Sequence, residues 1–160
     1  MQSEDVFPHA NKNIKILDAG AGTGIIGEML VKQGYTNIDG LDISQKMLDI
    51  AEKKKVYKRL ICAPLSDFRI EQIQTAEYDV VLCAGTIVYG QAKPVALDEC
   101  IRHVRPGEHN LLDGLVDLIL RLETLWNPLQ LNTVILLARE GAMQVRLSMG
   151  GVGTQELGNL

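Results

Sequence analysis

The chain has 160 residues, 46% of them hydrophobic and 22% charged, ordinary usage for one globular domain. Sixteen Lys+Arg against twenty Asp+Glu give a net charge of −4, the wrong balance for a protein that grips nucleic acid or an anionic membrane by charge. Aromatic residues, at 4%, are too sparse for a platform that stacks single-stranded bases, so nucleic acid is not an expected partner.

No apolar run approaches the roughly 18 residues of a membrane span. Met1 to Ala10 contain Glu4, Asp5 and Pro8 and lack the apolar core of a secretory signal. The three cysteines, Cys62, Cys83 and Cys100, form no Cys-x-x-Cys pair, the usage of a reducing compartment. A cytoplasmic or nuclear location is therefore expected, with no membrane partner.

Ile14, Ile16 and Leu17 predict a first strand, ended by the turn-rich run Asp18-Ala19-Gly20-Ala21-Gly22-Thr23-Gly24. A helix follows with Ile25, Ile26, Met29, Leu30 and Val31 on its expected buried side, and Gly34 stops it. Asn37 to Asp42 predicts a second strand. Ser44 is placed to cap a helix running through Lys55, with Met47, Leu48 and Ala51 at helical spacing. Tyr57 to Cys62 predicts a third strand and Tyr78 to Cys83 a fourth. Val95, Leu97, Cys100, Ile101 and Val104 then share a helix that Pro106-Gly107 ends.

Strands alternating with helices at these distances define an α/β chain: a Rossmann-like parallel sheet flanked by helices. Right-handed crossovers put the strands' carboxyl ends on one edge, where ligands of such sheets bind. Beyond Pro106 the pattern changes. Leu111 to Trp126 reads as an amphipathic helix, with Asp117 and Arg121 at the supporting i,i+4 spacing. Thr133 to Ala138 is a further strand candidate, able to take a vacant sheet position. The glycines from Gly141 onward predict a poorly ordered terminus. One domain over 1–160 is expected, with an atypical C-terminal part.

The loop after the first strand carries the chemistry. Gly20, Gly22 and Gly24 at alternate positions let the backbone turn sharply and approach a ligand with no Cβ in the way. The following helix offers free N–H groups at its positive end. Asp18, two residues before the first glycine, can hold a cationic amine directly or through water. Asp42, at the end of the second strand, can accept both hydroxyls of a ribose.

This Asp-x-Gly-x-Gly-x-Gly loop with a downstream acid resembles the class I methyltransferase family, whose members bind S-adenosylmethionine. Tyr78 to Gly85 and His103-Val104-Arg105-Pro106-Gly107 resemble that family's fourth strand and the turn before its fifth. The run Ile38-Asp39-Gly40-Leu41-Asp42-Ile43-Ser44 and the Gly90-Gln91 pair resemble its Williams–Beuren-region branch. The resemblance extends over about residues 13 to 107.

It implies that Asp18, Gly20 and Gly22 flank the methionine part of the cofactor. Asp42 would bind the ribose, and Ile43 and Met47 would lie beside the adenine. Ala63, Pro64 and Leu65 would form the adenine's other wall, and Cys83 with Ala84 and Gly85 would line the edge facing the acceptor. The family often has an acid after the third strand for the adenine amine. Ala63 and Pro64 offer none, which leaves Asp67 or a backbone carbonyl. Tyr89 and Gln91 are the polar residues best placed toward an acceptor.

Two alternatives remain at this point. Gly22-Thr23-Gly24-Ile25-Ile26-Gly27 satisfies Gly-x-Gly-x-x-Gly, and Asp42 lies at the distance that an NAD(P)-dependent oxidoreductase wants. Against it, Asp18 puts a carboxylate near the place of a pyrophosphate. The second alternative is a truncated, catalytically silent relative with a binding role, since few residues precede Ile14 and the tail departs from the family. No metal is expected. Cys100 and His103 lie one helical turn apart, but with His109 they lack a fourth ligand at a suitable spacing. A packed cysteine and a partly exposed histidine are expected instead. Lys53, Lys54, Lys55, Lys58 and Arg59 read as a solvated helix end.

Overall fold

A computed structural model describes residues 11–66, 68–84, 95–107, 133–137, 139–140, 145–149 and 152–157. Its elements in chain order are β1 (Ile16–Ala19), α1 (Ile25–Lys32), β2 (Ile38–Asp42), α2 (Gln45–Lys53), β3 (Arg59–Cys62) and β4 (Val80–Ala84). Then come α3 (Val95–His103), β5 (Pro106–Gly107), β6 (Thr133–Leu137), β7 (Arg139–Glu140), β8 (Val145–Met149) and β9 (Val152–Leu157). The main sheet has the order β3-β2-β1-β4-β6-β8-β9, and β5 pairs separately with β7.

The first four strands are parallel, as the alternation of strands and helices requires. In β1 every residue is buried, as expected of a strand covered on both faces. Alternation then sorts side chains between two cores. Ile16 joins Ile26, Leu30, Ile38, Val80 and Leu82 under α1, whereas Leu17 and Ala19 join Leu41, Ile61, Val81, Cys83 and Cys100 under α3. By the same period Asp18 lies on the α1 side.

The predicted signals hold in this core. The Ser44 hydroxyl accepts the Met47 N–H at 3.4 Å and caps α2. Gly34, at φ 90°, takes the left-handed conformation that ends α1. Near the amino edge, Asp39 accepts the Tyr78 hydroxyl at 2.8 Å and pairs with Arg59 at 3.1 Å, while Lys15 and Arg59 share Glu77. These contacts tie the starts of the four parallel strands together, on the edge opposite the glycine loop.

Four expectations need correction. Ile25 and Val31 are exposed, because the face α1 presents to the sheet is Ile26, Gly27 and Leu30. The α2 helix ends at Lys53 rather than Lys55, where a left-handed φ of 55° breaks its path. His103 is fully buried, not partly exposed: Arg102 and Glu99 close over it. The terminus forms strands, β8 pairing with both β6 and β9, since Val145, Leu147 and Met149 alternate with polar residues at strand period.

Thr133–Leu137 does take the sheet position beside β4, but antiparallel to it. The predicted helix over 111–126, like Asp67, Gly85, Tyr89, Gln91 and His109, lies outside the described residues.

Candidate functional site: the glycine loop and its two acids

The site lies where β1 and β2 end side by side. The N–H groups of Gly20 and Ala21 both donate to the Leu41 carbonyl, at 2.7 and 2.9 Å, which folds the loop back over the end of β2. Gly20, Gly22 and Gly24 have φ of 85°, 53° and 86°, in the left-handed region where an L side chain is strained. A Cβ on Gly22 would meet nothing within 4 Å, so the loop's outer side is open to a ligand.

Asp42 fastens this loop to the next turn. Its Oδ2 accepts the Gly22 N–H and its Oδ1 the Ser44 N–H, each at 2.8 Å. A carboxylate has about four lone-pair sites, so two further donors, such as a pair of hydroxyls, can be accommodated. The Ala63 N–H donates to the Asp42 carbonyl at 3.0 Å and brings the end of β3 alongside. Ile43 is 72% exposed and Met47 44%, apolar surface beside this carboxylate. Just after β3, Pro64 is exposed, with Ala63 and Leu65 partly buried.

Asp18 is wholly buried beneath the loop. Its Oδ2 accepts the Tyr57 hydroxyl at 2.6 Å, while its Oδ1 has no partner. Burial pushes the Asp18 carboxyl up to about 7; the Tyr57 hydrogen bond opposes this, and the negative Asp42 adds to it. Tyr57 itself is raised, by burial first and then by the Asp18 charge. The Gly27 N–H also donates to the Tyr57 oxygen, at 3.3 Å.

The tyrosine ring fills space left by glycines. A Cβ on Gly27 would lie 2.6 Å from its Cζ, and one on Gly40 3.2 Å from its Cδ1. Gly40 is the β2 partner of Asp18 in register, so the missing side chain there is what admits the ring.

Asp18, Gly20, Gly22, Asp42, Ile43, Met47, Ala63, Pro64 and Leu65 are thus gathered at one sheet edge. Cys83 reaches that edge through its backbone only. Its thiol is buried on the α3 side, 3.8 Å from the Cys100 sulfur, and is raised by that hydrogen bond and by burial. Tyr57 is the residue that sequence reasoning missed, because its pattern marks it only as the start of a strand. Its neighbours Gly24, Gly27 and Gly40 were a signal, because glycine inside a helix or strand marks a close approach.

Among the described residues, no group of three or more His, Cys, Asp and Glu side chains is placed to hold a metal ion. Among them also, no helix is long and apolar enough to cross a membrane. A cavity of about 190 Å³ at the start of β3 is lined by Tyr57, Glu52, Lys55, Lys58, Arg59 and Leu60, and neither acid lines it.

Four parallel strands with a glycine loop at their switch edge, and acids at or next to the ends of the first two, define a nucleoside-binding α/β domain. The methyltransferase domain family matches residues 16–107, and the chain belongs to that family. S-adenosylmethionine is accordingly its cofactor. The open glycine cradle, the spare acceptor capacity of Asp42 and the unpartnered Asp18 oxygen fit a ligand that carries a ribose and a cationic amine. The dinucleotide reading is not favoured.

Among curated proteins, a ubiquinone biosynthesis O-methyltransferase of Vibrio parahaemolyticus is 31% identical over 102 residues, 59% of this chain and 41% of that protein. A malonyl-[acyl-carrier protein] O-methyltransferase of Priestia megaterium is 27% identical over 99 residues, 60% of this chain and 35% of that protein. The chain thus spans well under half the length of these relatives. In fold, the crystal structure of a proposed S-adenosyl-L-methionine-dependent methyltransferase from Methanococcus maripaludis superposes with a TM-score of 0.53. It has 19% identity, covering 79% of this chain and 64% of that one.

Proposed function

We propose that this chain transfers the methyl group of S-adenosylmethionine to an oxygen nucleophile on a small molecule or a protein. The observation that carries the reading is the pairing of Asp42 with the Gly22 and Ser44 amides at the open glycine loop. In this reading Asp18, Gly20 and Gly22 flank the methionine part and Asp42 holds the ribose hydroxyls. Ile43 and Met47 cover one side of the adenine and Ala63, Pro64 and Leu65 the other, while Cys83 backs the edge towards the acceptor. When bound, the cofactor supplies an electrophilic methyl on a sulfonium sulfur, so the chain has chiefly to bind and orient two reactants.

The O-methyltransferase names of both relatives favour oxygen as the accepting atom. Within the family, the Ile38–Ser44 run and the Gly90-Gln91 pair support a place beside the Williams–Beuren-region branch. The test is calorimetric titration with S-adenosylhomocysteine, beside Asp42→Ala and an NAD control. Micromolar binding that the substitution weakens tenfold or more, about 1.4 kcal/mol, is the expected result. Binding of NAD in its place, or no binding by a folded chain, would overturn the proposal, the second result restoring the silent-relative reading.

A further inference from the structure

We propose that Tyr57 is a positioning residue for the cofactor loop, holding the Asp18 carboxylate by Oδ2 so that Oδ1 is left for the cationic amine of the ligand. The inference rests on the S-adenosylmethionine reading above and assigns the ligand's amine a partner held ready from a separate element. Three observations meet in it. The hydroxyl spans two groups, donating to Asp18 at 2.6 Å and accepting from the Gly27 amide at 3.3 Å. The ring is packed into the space that side chains at Gly24, Gly27 and Gly40 would otherwise fill. The other Asp18 oxygen is buried with no partner, a costly arrangement for a carboxylate.

The charges around Asp18 leave Tyr57 as the group that favours its ionised form. From the end of β2, Asp42 opposes ionisation. Cys83 on β4 is a buried thiol, raised in part by the Asp18 charge itself, so it stays neutral. From α1, Glu28 faces the Tyr57 side and is paired with Lys54, just past the end of α2, at 2.6 Å. Asp18 stands at about 7 with the tyrosine hydrogen bond opposing burial, so that bond bears on how much carboxylate is present at neutral pH.

Tyr57→Phe keeps the ring and removes only the hydroxyl. In the ligand-free protein, the Asp18 carboxyl is followed by carbon-13 NMR. Its titration midpoint is expected to lie about one to two pH units higher in this variant than in the wild type. For a midpoint about one pH unit higher, affinity for S-adenosylhomocysteine falls roughly fivefold at pH 7 and becomes nearly equal to wild type at pH 9. Taking the variant-to-wild-type ratio at each pH cancels titration of the ligand's own amine. In an Asp18→Asn background, Tyr57→Phe is expected to add no pH-dependent loss.

An unchanged Asp18 titration would overturn the proposal. So would an affinity loss of equal size at every pH, which is what a merely packing tyrosine would give. If the wild type binds no S-adenosylhomocysteine, the methyl-donor reading fails, and the NMR titration still decides by itself whether Tyr57 sets the charge of Asp18.

Discussion

Gly27→Ala is a one-methyl change whose outcome depends on whether the tyrosine seat is as tight as the distances make it. In an ordinary helix interior it would stabilise the protein by about 1 kcal/mol, alanine being the better helix former. Here the added Cβ would lie 2.6 Å from Tyr57 Cζ, 2.7 Å from its oxygen and 2.8 Å from Val56 Cγ2. Carbon atoms rest at roughly 3.5–4.0 Å, so the ring must retreat by about 1 Å. Overpacking costs about 1–3 kcal/mol, and a retreat of that size breaks the 2.6 Å bond to Asp18, a further 1.5–3 or so for a hydrogen bond to a charged group. Against the helical gain, the net is a loss of roughly 1.5–5 kcal/mol. Urea unfolding followed by circular dichroism measures it. In a Tyr57→Ala background only the Val56 Cγ2 contact at 2.8 Å remains, and Gly27→Ala is expected to be clearly less destabilising than in the wild type. Equal effects in the two backgrounds, or stabilisation in the wild type, would refute the packing argument.

Other outcomes follow from the buried acids and the histidine. Asp18 is raised on folding, so its contribution to stability is present at low pH and is lost as pH rises through about 7. Asp18→Asn is therefore expected to stabilise the ligand-free chain at pH 8 by on the order of 2 kcal/mol while weakening ligand binding, as thermal unfolding at pH 5 and pH 8 would show. His103 is lowered to about 4 by burial first and by the Arg102 charge next, so the unfolded chain binds its proton first. Stability should fall as pH drops from about 6.5 to 4, by roughly 2–3 kcal/mol, and His103→Leu should flatten that slope in denaturant titrations. Asp42→Ala removes the acceptor of two backbone amides and should cost about 1–3 kcal/mol in urea midpoint measurements, apart from its effect on ligand.

The local parts of this structure were legible in the sequence because each is set by residues close in the chain. The glycine loop, the Ser44 cap and the left-handed stop at Gly34 all depend on neighbours within a few positions. Asp42 beside the loop was legible as well, since parallel pairing of adjacent strands brings their carboxyl ends together. What escaped depends on contacts made across the chain. The Tyr57–Asp18 bond spans 39 residues, and nothing in the spacing of either residue announces it. His103 looked like a surface histidine on a helix with polar neighbours, yet those neighbours cover it. Arg102 bonds Glu99 and the carbonyls of Ile70 and Ile73, bringing its own element and the segment before β4 down over the ring. In the tail, the glycines outweighed an alternation of apolar and polar residues from Val145 to Met149 that was the better guide.

Amide NMR with stepwise addition of S-adenosylhomocysteine tests most directly where the cofactor sits. The amides of Gly20, Gly22, Ile43, Ser44 and Ala63 should shift first and together, with saturation at one ligand per chain and no such response to NAD. Shifts centred on the Lys55–Leu60 cavity, or the same loop amides responding to NAD and not to S-adenosylhomocysteine, would contradict the placement of the cofactor between Asp18 and Asp42.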